Sequence, residues 1–231
     1  NGQILSGGSP FEISTPYLTA ELFDIKFAQS ADVMYITHPN HQTRKLSRTG
    51  HTSWTLTVVD FTNGPYLDTN TSTTTITASA HTVGTGRTFT ASASTFVSTD
   101  VDRLIRFRDG YAKVTGFTSA TVVTVEIIKD TGSTSASTDW SLGAFSDTTG
   151  HPSCVSFFEQ RLVFAATLSQ PQTVFFSKSG DYENMDANIG GTVADDDAII
   201  YTIASNQVNA IRFMAASRTL IIGTAGGEFT V

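Results

Sequence analysis

Two strand-and-turn patterns recur along the chain at long distances, and this recurrence constrains the fold more than any other feature. Residues 161–167 (RLVFAAT) align with residues 218–224 (RTLIIGT), 57 positions later. Residues 47–50 (SRTG) align with residues 177–180 (SKSG), 130 positions later. Removing an insertion between these two copies reduces the second spacing to about 52 residues. A period of about 40 to 55 residues containing about four short strands is typical of β-propeller blades.

The insertion is visible as a change in composition after residue 67. Residues 68–100 are rich in Ser and Thr and contain one cation, Arg87. A disordered linker is one interpretation. The strand-like runs that follow, joined by an Arg108-Asp109-Gly110 turn, instead favour a small antiparallel β-barrel or roll. We expect its core to contain Leu104, Ile105, Phe107, Val114, Phe117, Val123, Val125 and Ile127, with Trp140 and Leu142 near its closing strand.

The predicted fold is therefore all-β, a partial β-propeller of about two to three blades with an inserted small antiparallel β-barrel or roll. A β-sandwich whose internal similarity arose by chance is the alternative. The predicted parts are residues 1–67 as a first propeller portion with a short helix, 68–145 as the inserted β domain, and 146–231 as further propeller blades.

One helix is expected, near residues 16–27. Thr15 is a candidate N-cap and Pro16 a candidate first helical residue. Three apolar side chains would share one face of this helix. They are Leu18, Leu22 and Ile25.

Charge and cysteine content limit the function. With 14 Lys and Arg against 21 Asp and Glu, the formal net charge is −7. Binding to nucleic acid through phosphates requires clustered cations, so this balance argues against it but not against a surface that DNA slides past. The single cysteine, Cys154, excludes an internal disulfide and is interpreted as a buried strand thiol. No membrane span or signal peptide is recognised, and the chain is expected to be part of a longer protein.

Histidines provide the one pattern with metal-ligand character. His38 and His41 are three positions apart and His51 follows, so a metal site is conceivable. No cysteine or carboxylate cluster adjoins them in the sequence. Solvated turn histidines are therefore the favoured interpretation, and no metal site or cofactor is predicted.

Acidic and aromatic residues offer only weak candidates for chemistry. Asp195, Asp196 and Asp197 lack the alternating oxygen ligands of a calcium loop and are interpreted as a solvated acidic turn. A glycosidase needs a positioned pair of carboxyl groups, for which three residues are available. They are Glu159, Asp181 and Glu183. No nucleophile or general-base motif accompanies them, so no catalytic residue and no enzyme activity are predicted.

The aromatic side chains are interpreted mainly as packing residues. Trp54 and Trp140 are expected near strand ends. Five phenylalanines inside strand-like runs are expected in the core. They are Phe157, Phe158, Phe164, Phe175 and Phe176.

Three segments outside the Thr-rich part together resemble one protein family. Residues 16–56 contain His-Pro and Arg-x-Leu-x-Arg, residues 158–185 contain Gln-Arg-Leu, Pro-Gln-Thr and Ser-x-x-Gly-Asp, and residues 209–231 contain Gly-Thr-x-Gly-Gly-Glu. These motifs resemble the tail tubular or nozzle proteins, also called stabilisation proteins, of short-tailed bacteriophages and related prophages. The resemblance carries no individual binding residue, since the shared motifs are fold signatures.

The resemblance implies a function and a location. It implies a virion tail protein, assembled in the bacterial host cytoplasm, whose β-propeller subunits form a ring, sixfold in the intact protein, around the channel for DNA ejection. Its implied partners are the tail adaptor and fibre or spike proteins, while DNA passes without specific binding. The alternative from the residues themselves is a carbohydrate-binding or carbohydrate-cleaving tail component.

Overall fold

The computed structural model describes residues 4–204 and 208–231. It is 4% helical and 48% strand, which confirms the prediction of an all-β fold. Within these residues, no helix is long and apolar enough to cross a membrane.

The described residues form nineteen strands and two short 3-10 helices, η1 and η2. In chain order they are β1 (Leu5–Ser6), β2 (Ser9–Pro10), η1 (Thr19–Asp24), β3 (Lys26–Ser30), β4 (Val33–His38), β5 (His41–Gly50), β6 (Ser53–Val58), β7 (Ile76–Ala78), β8 (Gly84–Ala91), η2 (Ser98–Asp100), β9 (Leu104–Phe107), β10 (Gly110–Ser119), β11 (Val122–Lys129), β12 (Trp140–Leu142), β13 (Cys154–Phe158), β14 (Arg161–Ala165), β15 (Thr173–Phe176), β16 (Ile199–Thr202), β17 (Ile211–Ala216), β18 (Leu220–Thr224) and β19 (Glu228–Thr230).

The chain divides into two compact units, and each is built from discontinuous segments. Unit 1 comprises Asn1–Asp60, His151–Phe176 and Tyr201–Val231, and unit 2 comprises Phe61–Gly150 and Ser177–Ile200. Unit 2 contains the whole of the predicted insert, residues 68–145. It also contains residues 177–200, which the sequence-based boundaries assign to the propeller portion.

Antiparallel meanders dominate unit 1, where each strand pairs with the next along the chain. The sheet orders are β3-β4-β5-β6, β13-β14-β15-β16 and β17-β18-β19, and β1 pairs with β2 in a separate hairpin. β13 packs against β3, β4 and β17. The first strand of the second meander, β13, therefore contacts the first strands of the other two, β3 and β17. Propeller blades are antiparallel meanders of about four strands; two of these sheets have four strands and the third has three.

The sequence repeat corresponds to equivalent positions in these meanders. Residues 161–167 and 218–224 supply β14 and β18, each the second strand of its sheet. Residues 47–50 end β5 and residues 177–180 directly follow β15, each the third strand of its sheet. The recurrence therefore follows strand order within the sheets.

The core of unit 1 is a cluster of mainly small and branched side chains contributed by two meanders. Cys154, Val163, Val174, Ile211 and Leu220 belong to one buried cluster. Every residue of β14 and β15 is buried. Of the five phenylalanines predicted in the core, three are buried, and two on β13 are partly exposed. The buried ones are Phe164, Phe175 and Phe176, and the others are Phe157 and Phe158.

Unit 2 contains a six-stranded antiparallel sheet in the order β12-β9-β10-β11-β8-β7. The sheet curls until the segment before β12 reaches the opposite edge strand. There, Ile76 and Ser137 exchange backbone hydrogen bonds of 2.9 and 3.0 Å. Curling that brings opposite edges together removes exposed strand edges and encloses a core.

The core of unit 2 contains most of the residues predicted for it. Ile105, Phe107, Val114, Val123, Val125 and Ile127 are fully buried, with Trp140 beside them and Leu142 packed against the cluster. Leu104 is only partly buried, and the prediction for Phe117 is wrong because its residue is 39% exposed. A register shift between Val114 and Gly116 interrupts the alternation of side chains along β10, and Phe117 pairs with Val123 close to the end of the β10–β11 hairpin.

A two-residue turn at Arg108 and Asp109 joins β9 to β10, one position earlier than an Asp-Gly turn would lie. Phe107 pairs with Gly110, and Arg108 has a φ of 54°. Gly110 is already within β10, where a Cβ atom would lie 2.2 Å from the carbonyl oxygen of Lys129. A glycine therefore suits position 110 because another strand's backbone approaches it closely, and not because a turn requires it.

The predicted helix is shorter than expected and does not bury an apolar face. It is the 3-10 helix η1, which starts after Leu18 rather than Thr15. Leu18 and Leu22 are 67% and 52% exposed. Glu21 replaces the expected threonine cap because its carboxylate accepts a hydrogen bond of 2.8 Å from the Leu18 N–H.

Candidate functional site

A tight hairpin brings two histidines together in unit 1. His38 ends β4 and His41 begins β5, so Pro39 and Asn40 alone form the turn. The two histidines are cross-strand partners, and such partners direct their side chains to the same face. Their ring centroids are 4.9 Å apart, with an interplanar angle of 54°. The hairpin thus places the imidazole rings of two histidines that are three positions apart in the sequence side by side.

Glu21 joins this pair from η1. β3 runs antiparallel to β4, and Lys26 at its start pairs with Thr37 near the end of β4. The chain that enters β3 therefore comes from the same end of the sheet as the histidine turn. The Oε2 atom of Glu21 lies 2.9 Å from Nε2 of His41. Sequence reasoning missed Glu21 because nothing local connects a residue at position 21 with one at position 41.

The three side chains form one cluster of potential metal ligands. One ligand atom from each of Glu21, His38 and His41 lies within 4.8 Å of the other two. His38 is buried, with 1% of its surface exposed, whereas the side chains of His41 and Glu21 are 24% and 21% exposed. The interpretation of both as solvated turn histidines is therefore wrong for His38.

The hydrogen bonds of His38 leave one ring nitrogen without a partner. Its Nδ1 accepts a hydrogen bond of 3.1 Å from the Asn40 N–H, so the neutral ring carries its proton on Nε2. Nε2 is buried and has no hydrogen-bond partner among the described residues. Burial is the main cause that lowers the pKa of His38, and the nearby His41 lowers it further. The ring is therefore neutral near pH 7.

Negative charge and an aromatic ring complete the surroundings. The Leu18 N–H and the His41 ring lower the pKa of Glu21, so this carboxylate is ionised. Tyr17 packs its ring edge-on to His41, with centroids 5.3 Å apart. Its hydroxyl is buried without a hydrogen-bond partner among the described residues, and burial raises its pKa. The cluster thus combines two imidazoles, one carboxylate and unsatisfied polar atoms.

The third histidine and the two tryptophans lie elsewhere. His51 is exposed after β5, and its carbonyl oxygen accepts a hydrogen bond from Trp54 Nε1. Trp54 is partly buried on β6, with the Arg48 guanidinium 5.8 Å from its ring centroid. Trp140 is 8% exposed in the core of unit 2. Both tryptophans therefore have packing roles near strand ends.

The acidic turn at residues 195–197 is only partly solvated. Asp195 and Asp196 are exposed, but Asp197 is 4% exposed. Its Oδ1 accepts a hydrogen bond of 2.8 Å from Lys178 Nζ, and Oδ2 accepts one from the Ala194 N–H. The Lys178 ammonium lowers the pKa of Asp197. This aspartate holds the turn, and the interpretation of all three as solvated is wrong for it.

The acidic residues considered for glycoside cleavage belong to separate units. Glu159 is an exposed residue of the β13–β14 turn in unit 1, with a φ of 45°. Asp181 and Glu183 lie in unit 2, where the Asp181 carboxylate accepts a hydrogen bond from Asn184. Glu159 and Asp181 therefore lie in turns of different units.

Unit 2 contains an open polar cavity of about 460 Å³. The β9–β10 turn and residues 186–191 contribute to its lining. Arg106 faces this cavity, and its guanidinium donates to Asp139. Three cationic and three acidic residues line the cavity, so the formal charges of its lining balance.

Sequence comparisons with protein-family models and with curated proteins give no match for this chain.

Proposed function

We propose that this chain is a structural protein of a bacteriophage tail nozzle, forming part of the conduit for DNA ejection and a surface for fibre or spike proteins. The observation that carries the proposal is the set of successive antiparallel meanders in unit 1, joined through their first strands β3, β13 and β17. This is the architecture that the resemblance to nozzle proteins implies. The role is non-enzymatic and the location is the virion tail.

Charge supports a conduit rather than a DNA-binding surface. The chain has a formal net charge of −7. Affinity for duplex DNA grows with the number of phosphates that Lys and Arg neutralise, so an acidic wall binds DNA weakly and lets it pass. We expect no specific contact with bases.

An exposed apolar surface supports assembly with other subunits. Four exposed apolar residues lie within ten positions, with Leu18 just before η1, Leu22 and Phe23 on η1, and Phe27 on β3. Phe23 is 92% exposed. Contiguous exposed apolar side chains are typical of protein–protein interfaces. We propose that a neighbouring subunit of the ring, a hexamer in the intact protein, covers this surface. The adaptor and fibre proteins would then bind elsewhere on the ring.

Immunogold electron microscopy tests the proposal directly. Antibodies against this chain should label the tail, below the portal, in particles produced by the phage or prophage that encodes it. Labelling restricted to the capsid, or protein found only free in the lysate, would contradict a tail location.

Incubation with host surface glycans tests the carbohydrate alternative in the same preparation. We expect neither binding nor cleavage. Cleavage that Glu159→Gln or Asp181→Asn abolishes would overturn the non-enzymatic role, whatever the location of the protein.

A further inference from the structure

We propose that Glu21, His38 and His41 bind one Zn²⁺ ion that fixes η1 to the end of the β4–β5 hairpin. The three residues come from two elements that the chain brings together at one end of the first sheet of unit 1. This site is independent of the proposed role in a phage tail.

The donor set suits zinc. Two imidazole nitrogens and one carboxylate oxygen are typical Zn²⁺ ligands, and three protein ligands leave a fourth position for water. Ca²⁺ and Mg²⁺ prefer oxygen ligands, so two imidazoles disfavour both ions.

Small side-chain movements would bring the ligand atoms to zinc distances. Tetrahedral coordination with bonds of about 2.0–2.1 Å places ligand atoms about 3.3 Å apart. The Glu21–His41 contact of 2.9 Å is already this close, and the largest separation in the cluster is at most 4.8 Å. The widest pair must therefore approach by about 1.5 Å or less. Glu21 lies on a short helix with no buried residues, so its side chain can adjust at low cost.

The unpartnered nitrogen of His38 gives an independent indication of a ligand. A buried polar atom without a partner destabilises a protein because it has lost its hydrogen bonds to water, and His38 Nε2 is such an atom. Binding zinc through either ring nitrogen of His38 breaks the Asn40 N–H···Nδ1 hydrogen bond. A metal–imidazole bond replaces this single neutral hydrogen bond.

Neighbouring groups hold the ligands in place. The Leu18 N–H donates a hydrogen bond of 2.8 Å to the Glu21 carboxylate, and such contacts to a ligand orient it toward the metal. Tyr17 packs against both rings, with centroids 6.1 Å from His38 and 5.3 Å from His41.

Isothermal titration with Zn²⁺ and absorption spectroscopy with Co²⁺ test the site, using tag-free full-length chain stripped with chelator. We expect one ion per chain, a Co²⁺ d–d spectrum of tetrahedral type, and a higher melting temperature with Zn²⁺. Glu21→Gln and His41→Gln should each weaken Zn²⁺ binding by about 100-fold or more.

Two histidines serve as matched controls. His51 is exposed in the same unit, and His81 forms a comparable exposed pair with Asp130, 2.9 Å apart, without a second imidazole. His51→Gln and His81→Gln should bind Zn²⁺ as the parent chain does. His38→Gln alters a buried residue, so circular dichroism must first show that this variant folds. Glu21→Gln is the decisive variant because the Glu21 side chain is partly exposed.

Zinc binding that Glu21→Gln and His41→Gln leave unchanged would overturn the assignment. Failure of the parent chain to retain Zn²⁺ at micromolar concentration would overturn it as well. Neither result bears on labelling of the phage tail.

Discussion

Removing either member of a buried ion pair in unit 2 should strongly destabilise that unit. Arg103 Nη1 lies 2.7 Å from Asp100 Oδ1, and the two side chains are 3% and 2% exposed. The Arg103 Nε–H also donates a hydrogen bond of 2.8 Å to the Gly143 carbonyl. Asp100 accepts hydrogen bonds from the Val97 N–H and from the Thr148 hydroxyl. The pair thus joins η2 to Gly143 and Thr148, which follow β12 in the chain.

The cost of breaking the pair differs between its two members. Removing one partner of a buried ion pair destabilises a protein by about 3–5 kcal/mol, because the other charge remains buried. Arg103→Met leaves a carboxylate with two donors, so we expect a loss of about 3 kcal/mol. Asp100→Asn leaves a guanidinium whose burial already lowers its pKa, so we expect about 4 kcal/mol. The double variant buries no charge and should lose only about 2 kcal/mol, far below the sum of the single losses.

The two tryptophans allow the measurement to be confined to unit 2. Trp54 belongs to unit 1 and Trp140 to unit 2, so a Trp54→Phe background leaves fluorescence from Trp140 alone. Urea unfolding in that background should give the three free-energy changes. Asp130→Asn, which removes the exposed pair with His81, should leave the midpoint unchanged. Single losses below about 1 kcal/mol, or a double variant equal to their sum, would refute the reasoning.

Three further predictions concern single positions. Burial raises the pKa of the Cys154 thiol to about 11, so the folded form keeps a proton that the unfolded form loses near pH 9. Stability should therefore fall between about pH 9 and 11 by more in the parent chain than in Cys154→Ala, as urea titrations would show. Gly110→Ala should destabilise unit 2 by about 3 kcal/mol because the new Cβ atom would lie 2.2 Å from the Lys129 carbonyl oxygen. Gly116→Ala on the same strand should be tolerated because its Cβ atom would lie 3.6 Å from the nearest atom. Equal melting temperatures of the two variants would contradict this prediction. Phe23→Ser should leave the circular dichroism spectrum unchanged and weaken ring assembly of the intact protein, and unaltered assembly would exclude this surface as the subunit contact.

Local patterns in the sequence predicted strands β9 to β11 and part of the core of unit 2, but not β7 and β8 in the Thr-rich segment. Alternating apolar residues predicted Ile105, Phe107, Val123 and Val125 as buried because alternation is a property of the strand itself. Phe117 escaped this rule because a register shift between Val114 and Gly116 interrupts the alternation. The weak repeat was likewise predictable because it follows strand order within each meander.

The candidate metal cluster could be predicted only in part. The spacing of His38 and His41 was visible, since it arises from one hairpin. Glu21 depends on the pairing of β3 with β4, and long-range register of this kind leaves no local signal in one sequence. The burial of His38 and Asp197 was unpredictable for the same reason, because each depends on packing by distant residues.

The division of the chain between the two units has a mechanical consequence. The chain passes from one unit to the other after residues 60, 150, 176 and 200, so both ends of each unit 2 segment continue into unit 1. A stretching force applied between handles on β3 and β19 would therefore load the strands of unit 1 first. Unit 2 would feel tension only after unit 1 had ruptured. Force spectroscopy should then record the two units opening in a fixed order, set by connectivity rather than by their relative stabilities.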